Sequence, residues 1–191
     1  YAASALKMIG LIDNFAPLVV LCGHGSQTQN NAYATALDCG ACGGRHGASN
    51  ARILADILNK TSIREALQHH DIRIPTDSYF VAAEHNTTRD SVELFPSGLP
   101  LEMQDKVLAL KGDLEAAQTE NSLWRCVSMQ VPVKPNQAVN ATALRSEDWA
   151  QIRPEWGLAQ NASFIIGPRS LTKNIHLKGR SFLHSYEWEQ D

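Results

Sequence analysis

The residues with the clearest chemical potential lie in the stretch 38–47, DCGACGGRHG, which holds two cysteines, four glycines and a histidine. A further histidine, His24, lies upstream between two glycines in CGHGS. Three kinds of site could use such residues: a redox-active C-x-x-C pair formed by Cys39 and Cys42, a metal site, or a phosphate-binding loop. The phosphate loop is set aside, because neither G-x-x-x-x-G-K-[ST] nor G-x-G-x-x-G is present.

The redox and metal alternatives both remain open from spacing alone. The C-x-x-C spacing is that of thioredoxin-like proteins, but here the pair follows a long irregular loop rather than a strand. A zinc ribbon needs a second pair of ligands, and the spacings of Cys22 and His46 fit no common pattern. Buried cysteines are also common core residues, and glycines also mark tight turns. That structural explanation is weaker for His24, because its flanking glycines allow the backbone to fold closely around a bound group.

The elements that position these residues follow the order of an α/β fold. The apolar run 16–22 predicts a buried strand, a helix with Ser49 as its N-cap follows the glycine-rich loop, and 79–83 predicts a second buried strand. This order predicts a mostly parallel sheet with flanking helices. Ligands of such sheets bind outside the carboxyl ends of the strands, so we expect His24 and Cys39 to meet there. An imidazole and a thiolate suit zinc.

The rest of the chain predicts further helices and strands. Helices are predicted at about 1–13, from Ser62 onward and at about 101–127, and strands at 163–166 and 181–186. The segment 131–140, with two prolines, is predicted to be a linker. We therefore divide the chain into an α/β portion that carries the site, 1–130, and a C-terminal continuation, 131–191, predicted to pack on the same sheet.

Composition limits the possible partners. There are 17 lysine and arginine residues against 20 aspartate and glutamate residues, and no basic cluster, so no nucleic-acid partner is predicted. No apolar run approaches the ~18 residues that span a bilayer. The four cysteines are too sparse for a disulfide scaffold and indicate a reducing compartment. Because the chain begins at Tyr1 rather than at a methionine, we expect it to be part of a longer protein.

The stretch VVLCGHGSQTQNNAYATALDCGACGGRHGASNARILADILN closely resembles the DabA family of probable inorganic carbon transporter subunits, which are related to β-carbonic anhydrases. The stretches FVAAEHNTTRD, RSEDWAQIRPEWGLAQNASFIIGPR and GRSFLHSYEWEQD resemble further parts of that family. The resemblance implies part of a β-carbonic-anhydrase-like domain with a zinc site made by a cysteine, an aspartate, a histidine and a second cysteine. The histidine falls on His24 and the second cysteine on Cys39.

The other two ligands belong to a C-x-D-x-R motif that is absent from this sequence. The chain is thus expected to hold half of a metal site and, by itself, to bind zinc weakly or not at all. The resemblance further implies energy-coupled uptake of inorganic carbon, with CO2 hydrated to bicarbonate by a zinc-hydroxide mechanism. It also implies a peripheral location on the cytoplasmic side of the bacterial membrane, on a membrane subunit resembling the proton-conducting subunits of complex I.

Five other residues are predicted to lie around the metal ligands or to line the pocket. They are Asp38 and Cys42 beside Cys39, His85 and Asp90 after the second predicted strand, and Arg169, which could bind bicarbonate. Each has a structural alternative: turn capping, packing, loop hydrogen bonding or an ion pair. Two other functions also remain open. They are a thiol oxidoreductase that uses Cys39 and Cys42, and a zinc module that serves only as a docking platform.

Overall fold

The computed structural model describes residues 1–31, 44–151, 163–178 and 181–188. Its helices and strands in chain order are α1 (Ala2–Met8), β1 (Leu18–Gly25), α2 (Ala48–Leu58), α3 (Thr61–Leu67), β2 (Tyr79–Asn86), β3 (Ser91–Phe95), α4 (Gln104–Ser128), α5 (Ala138–Arg145), β4 (Ser163–Gly167) and β5 (Ser181–Ser185). This mixture of strands and helices confirms the predicted α/β fold.

The larger sheet has the strand order β1-β2-β3. Strands β1 and β2 are parallel and in register from Leu18 opposite Tyr79 to Gly25 opposite Asn86. Strand β3 is antiparallel to β2 and was not predicted from the sequence. It is only five residues long and follows a polar stretch, so its pattern is too short to identify; pairing with β2 as a hairpin is what makes it a strand.

Helix α2 packs on one face of this sheet, and the main core lies between them. Buried apolar side chains from α1, α2, α3 and β2 meet there, with Val19 and Leu21 of β1 packed against them. Successive side chains of a strand point to opposite faces, so Val20, Cys22 and His24 lie on the face away from α2. The core therefore determines which side of the sheet His24 occupies. The core residues are Leu6, Ala51, Ala55, Leu58, Leu67, Ile72, Phe80 and Ala82.

Several predicted helix boundaries were wrong. Helix α1 ends at Met8 rather than near residue 13, because Gly10 adopts a left-handed conformation with φ 72°. Helix α2 has Gly47 as its N-cap, so Ser49 lies inside its first turn. Helix α3 begins at Thr61, one residue before the predicted start at Ser62.

The C-terminal strands β4 and β5 occur where they were predicted, and they pair in parallel as a sheet of two strands. In the part of the chain that the structure describes, this ladder is separate from the three-stranded sheet. The predicted linker ends early, because a 3-10 turn at Pro135–Gln137 leads into α5, and proline is compatible with the start of a helix. Helix α5, after the predicted boundary at residue 130, packs on α4, which precedes it. The division of the chain at residue 130 stays a prediction.

Candidate functional site

His24 is the last residue but one of β1, at the carboxyl end of the strand, and its side chain is half-buried. Its carbonyl oxygen accepts a hydrogen bond of 2.7 Å from the N–H of Gly47, the N-cap of α2. A Cβ atom added to Gly23 would lie 2.4 Å from the carbonyl carbon of Gly47. The start of α2 therefore contacts the backbone of β1 directly, and glycine at position 23 is what allows this approach.

The carboxylate of Glu84 lies on the α2 face of the sheet and binds the segment 46–48. Its Oε1 atom is 2.8 Å from Nδ1 of His46, and its Oε2 atom accepts a hydrogen bond of 3.1 Å from the N–H of Ala48. A negative charge is favourable at the N-terminus of a helix, because the first N–H groups of the helix lack partners. This contact could not be predicted from local patterns, since Glu84 and His46 are far apart along the chain.

His85 and Asp90 form a second polar cluster, on the opposite face of the sheet from Glu84. Nε2 of His85 is 2.8 Å from Oδ1 of Asp90, whose other oxygen accepts hydrogen bonds from the side chains of Asn121 and Arg125 on α4. Burial alone would raise the pKa of Asp90, but the hydrogen bonds from His85 and Asn121 and the charge of Arg125 outweigh it and lower the pKa. The ionised carboxylate therefore accepts a hydrogen bond from the Nε2–H group of His85.

The hairpin between β2 and β3 is fastened to α4. Oδ1 of Asn86 accepts hydrogen bonds from the N–H groups of Thr88 and Arg89 within the loop. The guanidinium of Arg125 on α4 donates a hydrogen bond of 3.2 Å to the carbonyl of Thr88. Burial lowers the pKa of Arg125, yet a guanidinium stays charged at neutral pH. This stretch brings His85 and Asp90 together and holds loop hydrogen bonds, which is its structural alternative. That they line a pocket stays a prediction.

The residues that follow β1 are attached to the end of α5. The backbone N–H groups of Gln29 and Asn30 donate to the carbonyl of Ser146 at 2.9 and 3.2 Å. The buried side-chain amide of Asn30 donates to three more carbonyls, those of Arg145, Asp148 and Gln151. The role of Asn30 could not be predicted from local sequence patterns, because its partners lie more than a hundred residues away.

The other residues of interest fit structural roles. Partial burial raises the pKa of Cys22, against a backbone hydrogen bond from His85 that lowers it, so the thiol stays protonated at neutral pH. The Nε–H group of Arg169 donates a hydrogen bond of 2.8 Å to Oγ of Ser185. Its NH2 group donates a hydrogen bond of 3.3 Å to the carbonyl of Leu183. Arg169 is therefore bound to β5 of the smaller sheet, and its predicted contact with bicarbonate stays a prediction.

Asp38, Cys39 and Cys42 lie outside the described residues, so the predicted meeting of His24 and Cys39 also stays a prediction. Within the described ranges, no three histidine, cysteine, aspartate or glutamate side chains are grouped closely enough to hold a metal ion. No helix in those same ranges combines the length and the apolar character that crossing a membrane requires.

The family model described as probable inorganic carbon transporter subunit DabA matches residues 1–191. This chain belongs to the DabA family. The match confirms the family resemblance of the glycine-rich loop and of the later stretches. No solved structure matches the chain.

Relatives named probable inorganic carbon transporter subunit DabA align with the whole of this chain. Those of Legionella pneumophila (strain Lens), Salinibacter ruber and Bacillus subtilis (strain 168) are 53%, 48% and 49% identical over 192, 195 and 196 residues. The aligned part is 25%, 24% and 22% of the respective relative. The chain thus spans about a quarter of the length of the curated DabA proteins that it matches.

Proposed function

We propose that this chain is part of a zinc-binding subunit of an energy-coupled uptake complex for inorganic carbon, which hydrates CO2 to bicarbonate. The observation that carries the proposal is a DabA-family match over the whole chain, together with the location of His24 at the carboxyl end of a parallel strand. His24 and Cys39 are the proposed zinc ligands. The remaining ligands come from a C-x-D-x-R motif elsewhere in a longer protein.

The environment of His24 fits a metal ligand. Its backbone is held by Gly47, and its half-buried imidazole lies at the strand end where ligands of α/β sheets bind. The thiolate of the proposed site comes from Cys39, the position to which the resemblance to the family motif assigns it. When bound, zinc supplies a Lewis acid that activates a water molecule for attack on CO2. The described residues contribute an oriented imidazole to that chemistry.

The proposed partner is a membrane subunit resembling the proton-conducting subunits of complex I, on the cytoplasmic side of the membrane. The relatives are named as subunits of an inorganic carbon transporter, and a subunit requires other components. On this proposal, CO2 reaches the site of His24 and Cys39 and bicarbonate leaves it, and the membrane partner couples that conversion to a cation gradient.

Zinc analysis and carbon uptake of the longer protein test the proposal. His24→Ala and Cys39→Ser should each abolish stoichiometric zinc and inorganic carbon uptake at equal expression. His70→Ala is a matched histidine control, because His70 is exposed in a 3-10 turn away from β1. Cys22→Ser is the cysteine control on the same strand, and both controls should keep zinc and uptake. The proposal fails if His24→Ala retains both.

The same variants separate the two other functions that the sequence left open. A thiol oxidoreductase predicts that Cys42→Ser abolishes activity while zinc content is unchanged. A zinc module that serves only for docking predicts that His24→Ala loses zinc while uptake is retained. The chain by itself, purified and analysed for metal, is expected to carry zinc well below one equivalent. Tight stoichiometric zinc in that sample would contradict a site completed from elsewhere.

A further inference from the structure

Glu84 contacts the backbone on both sides of His24. It is the register partner of Gly23 across the parallel ladder between β1 and β2. On the other side, a Cβ atom added to Gly25 would lie 2.7 Å from Oε1 of Glu84. The side chain of Glu84 therefore lies against Gly25 and its backbone lies opposite Gly23, so Glu84 is next to both glycines that flank His24.

The same carboxylate holds the segment whose middle residue binds His24. His46 contacts Oε1 at 2.8 Å and Ala48 donates to Oε2 at 3.1 Å, so each oxygen has its own partner. Between these two residues, the N–H of Gly47 donates 2.7 Å to the carbonyl of His24. Glu84 thus holds the donor of that hydrogen bond from both sides.

The burial of Glu84 makes these contacts important. Its side chain is 14% exposed, whereas that of His46 is 47% exposed. A mostly buried carboxylate must be hydrogen-bonded, because removal from water is otherwise costly. Movement of the 46–48 segment would leave both oxygens of Glu84 without partners at once. The segment is in turn joined to the end of β1 by the hydrogen bond from Gly47 to the carbonyl of His24, so the contacts of Glu84 also support the backbone of His24.

We propose that Glu84 is a positioning residue that fixes the orientation of His24 for metal binding. The inference rests on the proposed function, since it takes His24 to be a zinc ligand. Glu84 does not itself act as a ligand, because both of its oxygens are engaged. Its side chain also lies on the α2 face of the sheet, whereas that of His24 lies on the other face.

Metal binding by the longer protein tests this role with Zn²⁺ and Co²⁺ as the probes. Residues that orient a metal ligand typically change metal affinity about 10- to 100-fold when they are replaced. We expect Glu84→Ala to weaken zinc binding, measured by competition with a chelator, by about tenfold or more. We also expect it to change the visible absorption spectrum of the Co²⁺ form. Glu84→Gln should restore part of the affinity, because an amide oxygen can still accept from Ala48.

Glu93 provides a matched control. It lies opposite Glu84 on β3 and is exposed, and among the described residues its side chain has no hydrogen bond or ion pair. Glu93→Gln removes the same charge from the same sheet and should leave affinity and spectrum unchanged. Should Glu84→Ala fold poorly, His46→Ala removes one of the two contacts from an exposed position and should weaken zinc several-fold.

The outcomes distinguish this inference from the proposed function. Loss of metal in His24→Ala, with wild-type affinity and spectrum in folded Glu84→Ala and His46→Ala, overturns the role of Glu84 and leaves the proposed function standing. A lower melting temperature in Glu84→Ala with an unchanged Co²⁺ spectrum would likewise mean that Glu84 only stabilises α2. If His24→Ala binds both metals like the wild type, the proposed function fails, and the positioning role fails with it.

Discussion

Nε2 of His85 lies 2.8 Å from Oδ1 of Asp90, and this pair joins the end of β2 to α4 through Asn121 and Arg125. His85 is also the register partner of His24, so the same contacts support the strand next to the proposed ligand. Asp90 has a left-handed backbone conformation with φ 55°, which turns the chain from β2 into β3. Its side chain and its backbone thus both serve the hairpin.

Replacement of Asp90 by asparagine should destabilise the fold in a pH-dependent manner. The pKa of Asp90 is lower in the folded state than in the unfolded state. The ionised carboxylate therefore contributes fully to the free energy of unfolding above the unfolded pKa of about 3.9. That contribution is lost as the pH falls through the folded pKa. We expect Asp90→Asn to lose about 2 kcal/mol at pH 7, because Arg125 keeps a buried charge without its partner. Urea unfolding at pH 7 and near pH 3 measures this.

The difference in stability between wild type and Asp90→Asn should be smaller near pH 3 than at pH 7. Asp113→Asn is the control, because Asp113 is exposed in the middle of α4, and it should change stability by less than about 0.5 kcal/mol. Equal stability of wild type and Asp90→Asn at pH 7 would show that the pair contributes nothing.

Two glycine-to-alanine substitutions should change the stability of the fold in opposite directions. In Gly23→Ala the new Cβ atom would lie 2.4 Å from the backbone of Gly47, which cannot rotate away, so we expect a loss of about 2–3 kcal/mol. In Gly112→Ala the new atom meets nothing within 4 Å inside α4, and the helix should gain about 0.5–1 kcal/mol. Thermal melts of both variants provide the test. A wild-type melting temperature for Gly23→Ala is incompatible with the close approach of β1 and α2.

Asn30→Ala should loosen the attachment between the end of β1 and the end of α5. Three carbonyls lose a donor, and we expect a cost of about 2 kcal/mol in urea unfolding. Hydrogen exchange should also become faster in residues 146–151, whose backbone the amide holds. Asn174→Ala is the control, since Asn174 is exposed. Unchanged exchange in 146–151 would mean that the backbone bonds to Ser146 suffice.

Thiol labelling should show different reactivity for Cys22 and Cys126. Cys126 is fully buried, so in the native chain it should react only on unfolding. Cys22 is accessible, but its raised pKa means that the pH midpoint of its labelling rate should lie above that of a free cysteine. Mass spectrometry of each labelled peptide over a pH series measures both. A midpoint at or below the free value would indicate an activated thiol at Cys22.

Local patterns were sufficient for β1, β2 and most helices. The apolar run before His24 has no polar positions to expose, so burial within a sheet is its stable arrangement, and its glycines mark the end of the strand. The order of strand, loop, helix and strand then determines a parallel pair with a crossover. These local patterns are enough to place His24 at the carboxyl end of β1.

The tertiary structure alone decided what surrounds His24. Glu84 with His46, Asp90 with Arg125, and Asn30 with the end of α5 join residues that are distant in sequence. Polar side chains such as these follow no periodic pattern, because each needs only one partner with suitable geometry. Which partner it finds depends on how helices and strands pack. The sequence by itself thus determined the family, the main strands and the candidate ligand, whereas folding determined the contacts that hold that ligand in place.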